Sequence, residues 1–131
     1  MRKKGRRFGM GDVHGAHKAL LQCLEAVGFD YRIDTLIQLG DVVDGYAEVY
    51  ECVETLLKIK NLIAIRGNHD DWFRRFLMTY VHPALWTQGG MATLASYLKN
   101  GCARPDDPAI LSPDIFQYLI KSFLSSSVCT I

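Results

Sequence analysis

"LIAIRGNHDDW", residues 62–72, runs apolar through Ile65 and then turns polar in a set order: Gly, Asn, His, Asp, Asp. The apolar part, with Asn61 before it, reads as a strand over 61–67. Gly67 lets the backbone turn sharply. Asp70 and Asp71 suit the positive N-terminus of a helix, so capping is the simplest reading of both. The stretch is therefore a strand, a short polar loop and a helix.

The same plan occurs twice upstream. "RRFGM" (6–10) is a short strand followed by "GDVHG" (11–15), and "DTLIQLG" (34–40) is a buried strand followed by "GDVVDG" (40–45). Between the strands lie two amphipathic helices. His17–Val27 places Leu20, Leu21, Leu24 and Val27 on one stripe, and Ala47–Ile59 does the same with Val49, Cys52, Val53, Leu56 and Leu57. Strands alternating with helices of this length specify β-α-β units, hence an α/β fold with a mainly parallel sheet and flanking helices.

Past Asp70 the alternation stops and the chain turns helical. A helix is expected over "DDWFRRFLMTY" (70–80), a loop over "VHPALWTQGG" (81–90) and a short helix over "MATLASYLK" (91–99). A turn-rich connector, "NGCARPDDP" (100–108), precedes "SPDIFQYLIKSFL" (112–124), where Ser112 is placed to cap a helix and Pro113 to begin it. Trp72, Phe73, Phe76 and Trp86 read as core, Arg74 and Arg75 as a solvated helix face, and His17 and His82 as surface or packing residues.

With 131 residues, 49% of them hydrophobic, and a formal net charge of +1, the chain fits one globular domain spanning 1–131. Near-neutrality gives no general attraction to nucleic acid or acidic lipid. The basic run "MRKKGRR" reads as a solvated leader. No apolar stretch reaches membrane-spanning length and no hydrophobic signal region follows the basic start, so the cytoplasm is the expected compartment. Four cysteines stand singly. Cys23 and Cys52, on the helix stripes, read as small core hydrophobes.

In a parallel sheet, the loops after the three strands emerge at one carboxyl edge, where such folds bind ligands. Asp12 and His14 are two residues apart, so an extended segment points both to one side. A carboxylate and an imidazole together suit a first-row metal ion. Asp41 adds a second carboxylate able to bridge two cations, and Asn68 a neutral amide oxygen. His69 is placed to give a proton to a leaving group, and Asp44 to orient its ring. The plainer readings of single residues are a helix cap for Asp12 or Asp44 and a turn for Asn68.

"GDVHG", "GDVVDG" and "GNHD", in this order and one β-α-β unit apart, resemble the calcineurin-like metallophosphoesterases, in the flavour of bacterial and phage relatives of Ser/Thr protein phosphatases. The resemblance implies the N-terminal half of a metallophosphatase α/β sandwich. It implies two divalent metal ions, Mn²⁺ ahead of Fe or Zn²⁺, held by Asp12, His14, Asp41 and Asn68, with His69 and Asp44 as the acid pair. It also implies hydrolysis of phosphate monoesters, phosphoprotein Ser/Thr among them, by a metal-activated water. The alternatives are a dinucleoside polyphosphate hydrolase and a non-catalytic metal-binding remnant. A phosphorylated substrate is the expected partner, with neither membrane nor nucleic acid.

Two departures stand out. Many relatives carry Arg-Gly after the second Asp of the middle motif, where the Arg grips phosphate; here those positions hold Gly45 and Tyr46. Arg66, just before the third loop, is the substitute substrate-binding residue, a structural role being its alternative. The family also completes its metal centre with histidines on later loops, whereas the four histidines here end at His82. The expectation is a fragment of the family domain.

Overall fold

The computed structural model describes residues 4–100, except 80 and 88. The connector and helix expected beyond residue 100 lie outside the described residues, as do Cys102 and Cys129.

Strands β1 (Arg7–Met10), β2 (Thr35–Gln38) and β3 (Asn61–Ala64) form a parallel sheet in the order β1-β2-β3. Helices α1 (His17–Ala26) and α2 (Val49–Leu57) make the two crossovers. The register aligns Phe8, Leu36 and Leu62 across the sheet, then Met10, Gln38 and Ala64. These residues face the helices. Leu20, Leu24, Val53 and Leu56 close over Leu36 and Ala64, with Phe8, Met10 and Leu62 packed at the margin. Each fully buried leucine here contributes about 1.5–3 kcal/mol.

Alternate residues, Arg7, Thr35 and Asn61 followed by Gly9, Ile37 and Ile63, face the other way. Among the described residues no element packs on this second face, and Ile63 is 41% exposed. The most apolar strand in the sequence is thus covered on one side only among the described residues. The helix-one stripe is narrower than its spacing predicts: Leu20 and Leu24 are buried, but Leu21 and Val27 are exposed. Cys23 is exposed as well, so only Cys52 keeps the expected core position. Leu20 and Leu24, one turn apart, are the α1 residues that reach the core, and Leu21 and Cys23 lie off that line. Burial, with Glu48 and Glu51 nearby, pushes the Cys52 thiol up to about 12, which keeps it an inert hydrophobe.

A second layer continues from β3. Helix α3 (Asn68–Thr79) is followed by a 3₁₀ turn, Ala84–Thr87, inside the expected loop, and then by α4 (Gly90–Lys99). Val43, Val49, Phe73, Phe76, Leu77, Trp86 and Tyr97 make its core. Phe76 and Trp86 lie 4.9 Å apart, and His82 packs on the Trp86 ring at 4.9 Å. Tyr50 N–H donates to the Ser96 hydroxyl at 3.0 Å, tying α2 to α4. Arg74 and Arg75 both hold the Asp71 carboxylate, at 2.9 and 2.7 Å; Arg75 lies on the solvated face as expected, at 64% exposure, whereas Arg74, at 19%, is drawn against the protein.

At the far edge of the sheet, Asp34 is buried against Arg6. Arg6 Nη2 donates to Asp34 Oδ2 at 2.7 Å and the Arg6 backbone N–H to Oδ1 at 2.7 Å. The Asp30 N–H adds a further bond of 2.9 Å. These bonds, the Arg6 side chain's first, hold the Asp34 carboxyl well below the usual carboxylate range. A carboxyl depressed in the folded state stabilises the fold above its unfolded pKa, about 4, and that contribution is lost as pH falls through the folded value. Urea titrations of wild type and Asp34→Asn should therefore differ most at neutral pH and converge as pH drops below about 4. A gap that stays constant with pH would refute the ion pair's contribution.

Candidate metal and proton-transfer site

The three strand-end loops meet at the carboxyl edge of the sheet. The first two are stitched by backbone bonds: the Val13 and His14 N–H groups both donate to the Asp41 carbonyl at 3.0 Å, and Gly15 N–H to the Val42 carbonyl at 2.9 Å. The second and third touch backbone to backbone. A side chain on Gly40, whose φ is 108°, would lie 2.6 Å from the Gly67 nitrogen, so that contact requires glycine.

Asp70 welds the same pair of loops. Its Oδ2 accepts N–H bonds from Asp41 (2.7 Å) and Gly67 (2.9 Å), and its Oδ1 from Val42 (3.0 Å) and Val43 (3.3 Å). The residue is 1% exposed. Burial raises the Asp70 carboxyl pKa, while the four N–H groups favour the anion. Helix capping describes only its Gly67 bond; the other three form the seam between loops. Helix α3 also starts at Asn68, two residues before the acidic pair, so Asn68 and His69 lie on its first turn.

Asp12, His14 and Asp41 each offer one donor atom, and the three atoms lie within 4.8 Å of one another. Asp12 is exposed, while His14 and Asp41 are partly buried. His14 Nδ1 lies 3.0 Å from the Val43 carbonyl oxygen. A carbonyl can only accept, so Nδ1 carries the proton and Nε2 keeps its lone pair, the arrangement found in metal-binding histidines. That Nε2 stands 3.8 Å from Asp12 Oδ2. The donor set, one imidazole and two carboxylates, therefore fits a divalent first-row cation.

Asn68 is exposed and flanked by two residues that touch the Asp41 carboxylate. His69 N–H donates to Asp41 Oδ1 at 3.0 Å, and a side chain on Gly67 would collide with that same oxygen. The His69 ring lies T-shaped against His14, centroids 4.9 Å apart, with Trp72 behind it at 4.6 Å. Its Nδ1 is 2.8 Å from Asp44 Oδ2. Asp44 is fully buried and further held by the Trp86 indole N–H and the Thr93 hydroxyl. With a carboxylate on Nδ1, the ring's Nε2 remains for proton transfer.

His14, Asp41 and Asp44 have φ of 47°, 53° and 69°, and they are the non-glycine residues with positive φ among those described. Left-handed backbone at such residues costs of order 1–3 kcal/mol and gathers at functional sites, where surrounding bonds enforce it. Three of the sequence-predicted site residues are in this state. Arg66, the predicted phosphate contact, has its Nε 3.6 Å from Asp71 Oδ1, with a side chain only 25% exposed. Sequence reasoning assigned Asp70 to capping and Trp86 to core, and it did not single out Thr93. The available signals were the polar N–H of Trp86, three residues before Gly89-Gly90, and Thr93 three residues after that pair.

Among the described residues, no helix is long and apolar enough to cross a membrane. The sequence is similar to Serine/threonine-protein phosphatase 1 of Salmonella typhimurium, 34% identical over 61 residues, which are 47% of this chain and 28% of that protein. It is also similar to symmetrical bis(5'-nucleosyl)-tetraphosphatases. That of Nitrosomonas europaea is 30% identical over 64 residues (48% of this chain, 24% of that protein). That of Klebsiella pneumoniae is 42% identical over 64 residues (47% and 22%). The matches thus span about a quarter of the length of these curated relatives. Residues 6–115 match the calcineurin-like phosphoesterase profile. With three strand-end loops gathered at one edge of a parallel sheet and a profile match over most of its length, the chain belongs to the calcineurin-like phosphoesterases.

Proposed function

We propose that this chain carries the metal-binding and proton-transfer half of a phosphoesterase site that hydrolyses phosphate monoesters, and that residues 1–131 belong to a single domain. The observation that supports this reading best is the meeting of Asp12, His14 and Asp41 beside a His69–Asp44 pair. Asp12, His14, Asp41 and Asn68 are the residues proposed to hold two divalent ions, Mn²⁺ ahead of Fe or Zn²⁺ by family resemblance, with the imidazole donor disfavouring Mg²⁺. Bound there, divalent ions lower the pKa of a water and offset charge on the phosphoryl oxygens. His14 presents Nε2 because Val43 holds its Nδ1. Asp41 is aimed by the His69 N–H, and Asp44 keeps a proton on His69 Nδ1 so that Nε2 can protonate the leaving alkoxide. Arg66, anchored on Asp71, is the proposed contact to substrate phosphate. A cytoplasmic location accompanies this proposal.

Phosphate release from an aryl phosphate should require added Mn²⁺, stop on chelation and fall about 100-fold in His69→Ala, within the usual range for losing a general acid. Tight Mn²⁺ binding with no turnover by the wild-type chain would support a metal-binding role alone. A second reading is favoured by the tetraphosphatase relatives, which match nearly the same length of chain as the protein phosphatase. Faster turnover of a dinucleoside tetraphosphate than of a phosphoserine peptide would select it, and the reverse order would select phosphoprotein.

A further inference from the structure

We propose that Trp86 and Thr93 are positioning residues for the His69–Asp44 pair. The proposal builds on the reading of His69 as proton donor, but its geometry stands independently.

Asp44 is an acidic side chain at 0% exposure, and its surroundings are supplied by a distant part of the chain. Trp86 Nε1 donates to Oδ2 at 2.8 Å and lies 3.0 Å from Oδ1. Thr93 acts on the residue twice. Its hydroxyl donates to Asp44 Oδ1, and the same oxygen accepts the Asp44 backbone N–H at 2.9 Å. Trp86 and Thr93 are themselves at 0% exposure, so water does not compete for these bonds. His69 Nδ1 shares Oδ2 with the Trp86 N–H, at 2.8 Å.

Backbone and side chain are clamped together. Asp44 has a φ of 69°, and the Thr93 pincer grips both its N–H and its carboxylate. Gly89, with φ of 91°, closes the cradle: a side chain there would lie 2.5 Å from the Gly45 nitrogen and 3.2 Å from Asp44 Cβ. The 3₁₀ turn and α4 thus do more than bury an aromatic layer. They set where the carboxylate points, and through it the His69 ring, and misplacement of a reacting group by about 1 Å costs on the order of 100-fold in rate.

The test uses the full chain, ¹⁵N-labelled, with Thr93→Val, Thr93→Ser and Trp86→Phe. Valine keeps the shape of threonine and removes both bonds; serine restores them. Phenylalanine keeps an aromatic ring beside Phe73 and Phe76 and removes the N–H. The His69 Nδ1–H proton should give a slowly exchanging, downfield NMR resonance in wild type and Thr93→Ser. In Thr93→Val and Trp86→Phe it should be lost to exchange at least about tenfold faster. With aryl phosphate and Mn²⁺, kcat should fall about tenfold or more in the same two variants, with KM unchanged and Thr93→Ser near wild type. Folded Thr93→Val and Trp86→Phe that keep both the resonance and kcat would overturn the proposal. If the wild-type chain turns nothing over while the resonance still follows the pattern, positioning is supported and only the acid role of His69 falls. Should Trp86→Phe fail to fold, the Thr93 pair decides alone.

Discussion

Asp70→Asn should destabilise the folded chain by about 2–4 kcal/mol, read as a drop in urea midpoint at constant m. The substitution is nearly isosteric, so packing is retained. What changes is polarity at one oxygen, since each Asp70 oxygen accepts two backbone N–H groups. Whichever oxygen becomes an amide, its NH₂ faces two donors and leaves them without an acceptor. A buried unsatisfied group costs about 1–3 kcal/mol, and two are produced at once. If Asp70 merely capped α3, the loss would be near 1 kcal/mol. A loss that small would refute the seam between the second and third loops. Because Asp41 lies on that seam, Mn²⁺ affinity of Asp70→Asn should fall along with stability.

Asp41→Asn separates the two effects. Mn²⁺ affinity measured by calorimetry should drop about a thousandfold, roughly 4 kcal/mol, while stability changes by less than about 1 kcal/mol. The His69 N–H already claims one Asp41 oxygen at 3.0 Å. An asparagine therefore keeps its carbonyl there and turns its NH₂ toward the cation, so a charge is lost and donors replace a lone pair. The backbone tolerates the change, because φ at this position is 53° and asparagine adopts left-handed backbone as readily as aspartate. Unchanged affinity would place the cation elsewhere and remove the basis of the proposed function.

The parallel α/β architecture was legible because it rests on local patterns. Apolar runs of strand length, helix stripes of period 3.6 and a glycine after each strand require no distant contact to be recognised. The helix α2 stripe matched its burial for this reason, with Val49, Cys52, Val53 and Leu56 all buried. Where the reading missed, a nonlocal fact intervened. Leu21 and Val27 face solvent because nothing among the described residues packs over that side of α1. The apolar sequence of β3 does not reveal that, among the described residues, helices cover one face of the sheet only. Arg74 looks as solvated as its exposed neighbour Arg75 until the Asp71 carboxylate is seen against it.

The candidate site divides along the same line. Its donors could be named from the chain alone, since a parallel sheet must deliver every strand-end loop to one edge, and short polar motifs at those ends can only meet there. Their orientation could not. The His14 tautomer depends on a carbonyl at Val43, the Asp41 carboxylate on the His69 N–H, and the Asp44 carboxylate on Trp86 and Thr93. These are hydrogen bonds between residues 28 to 49 positions apart, which no local pattern encodes. Sequence by itself determined which atoms arrive at the rim; tertiary structure decided which lone pairs and protons they present, because hydrogen-bond direction is set by the partner across space.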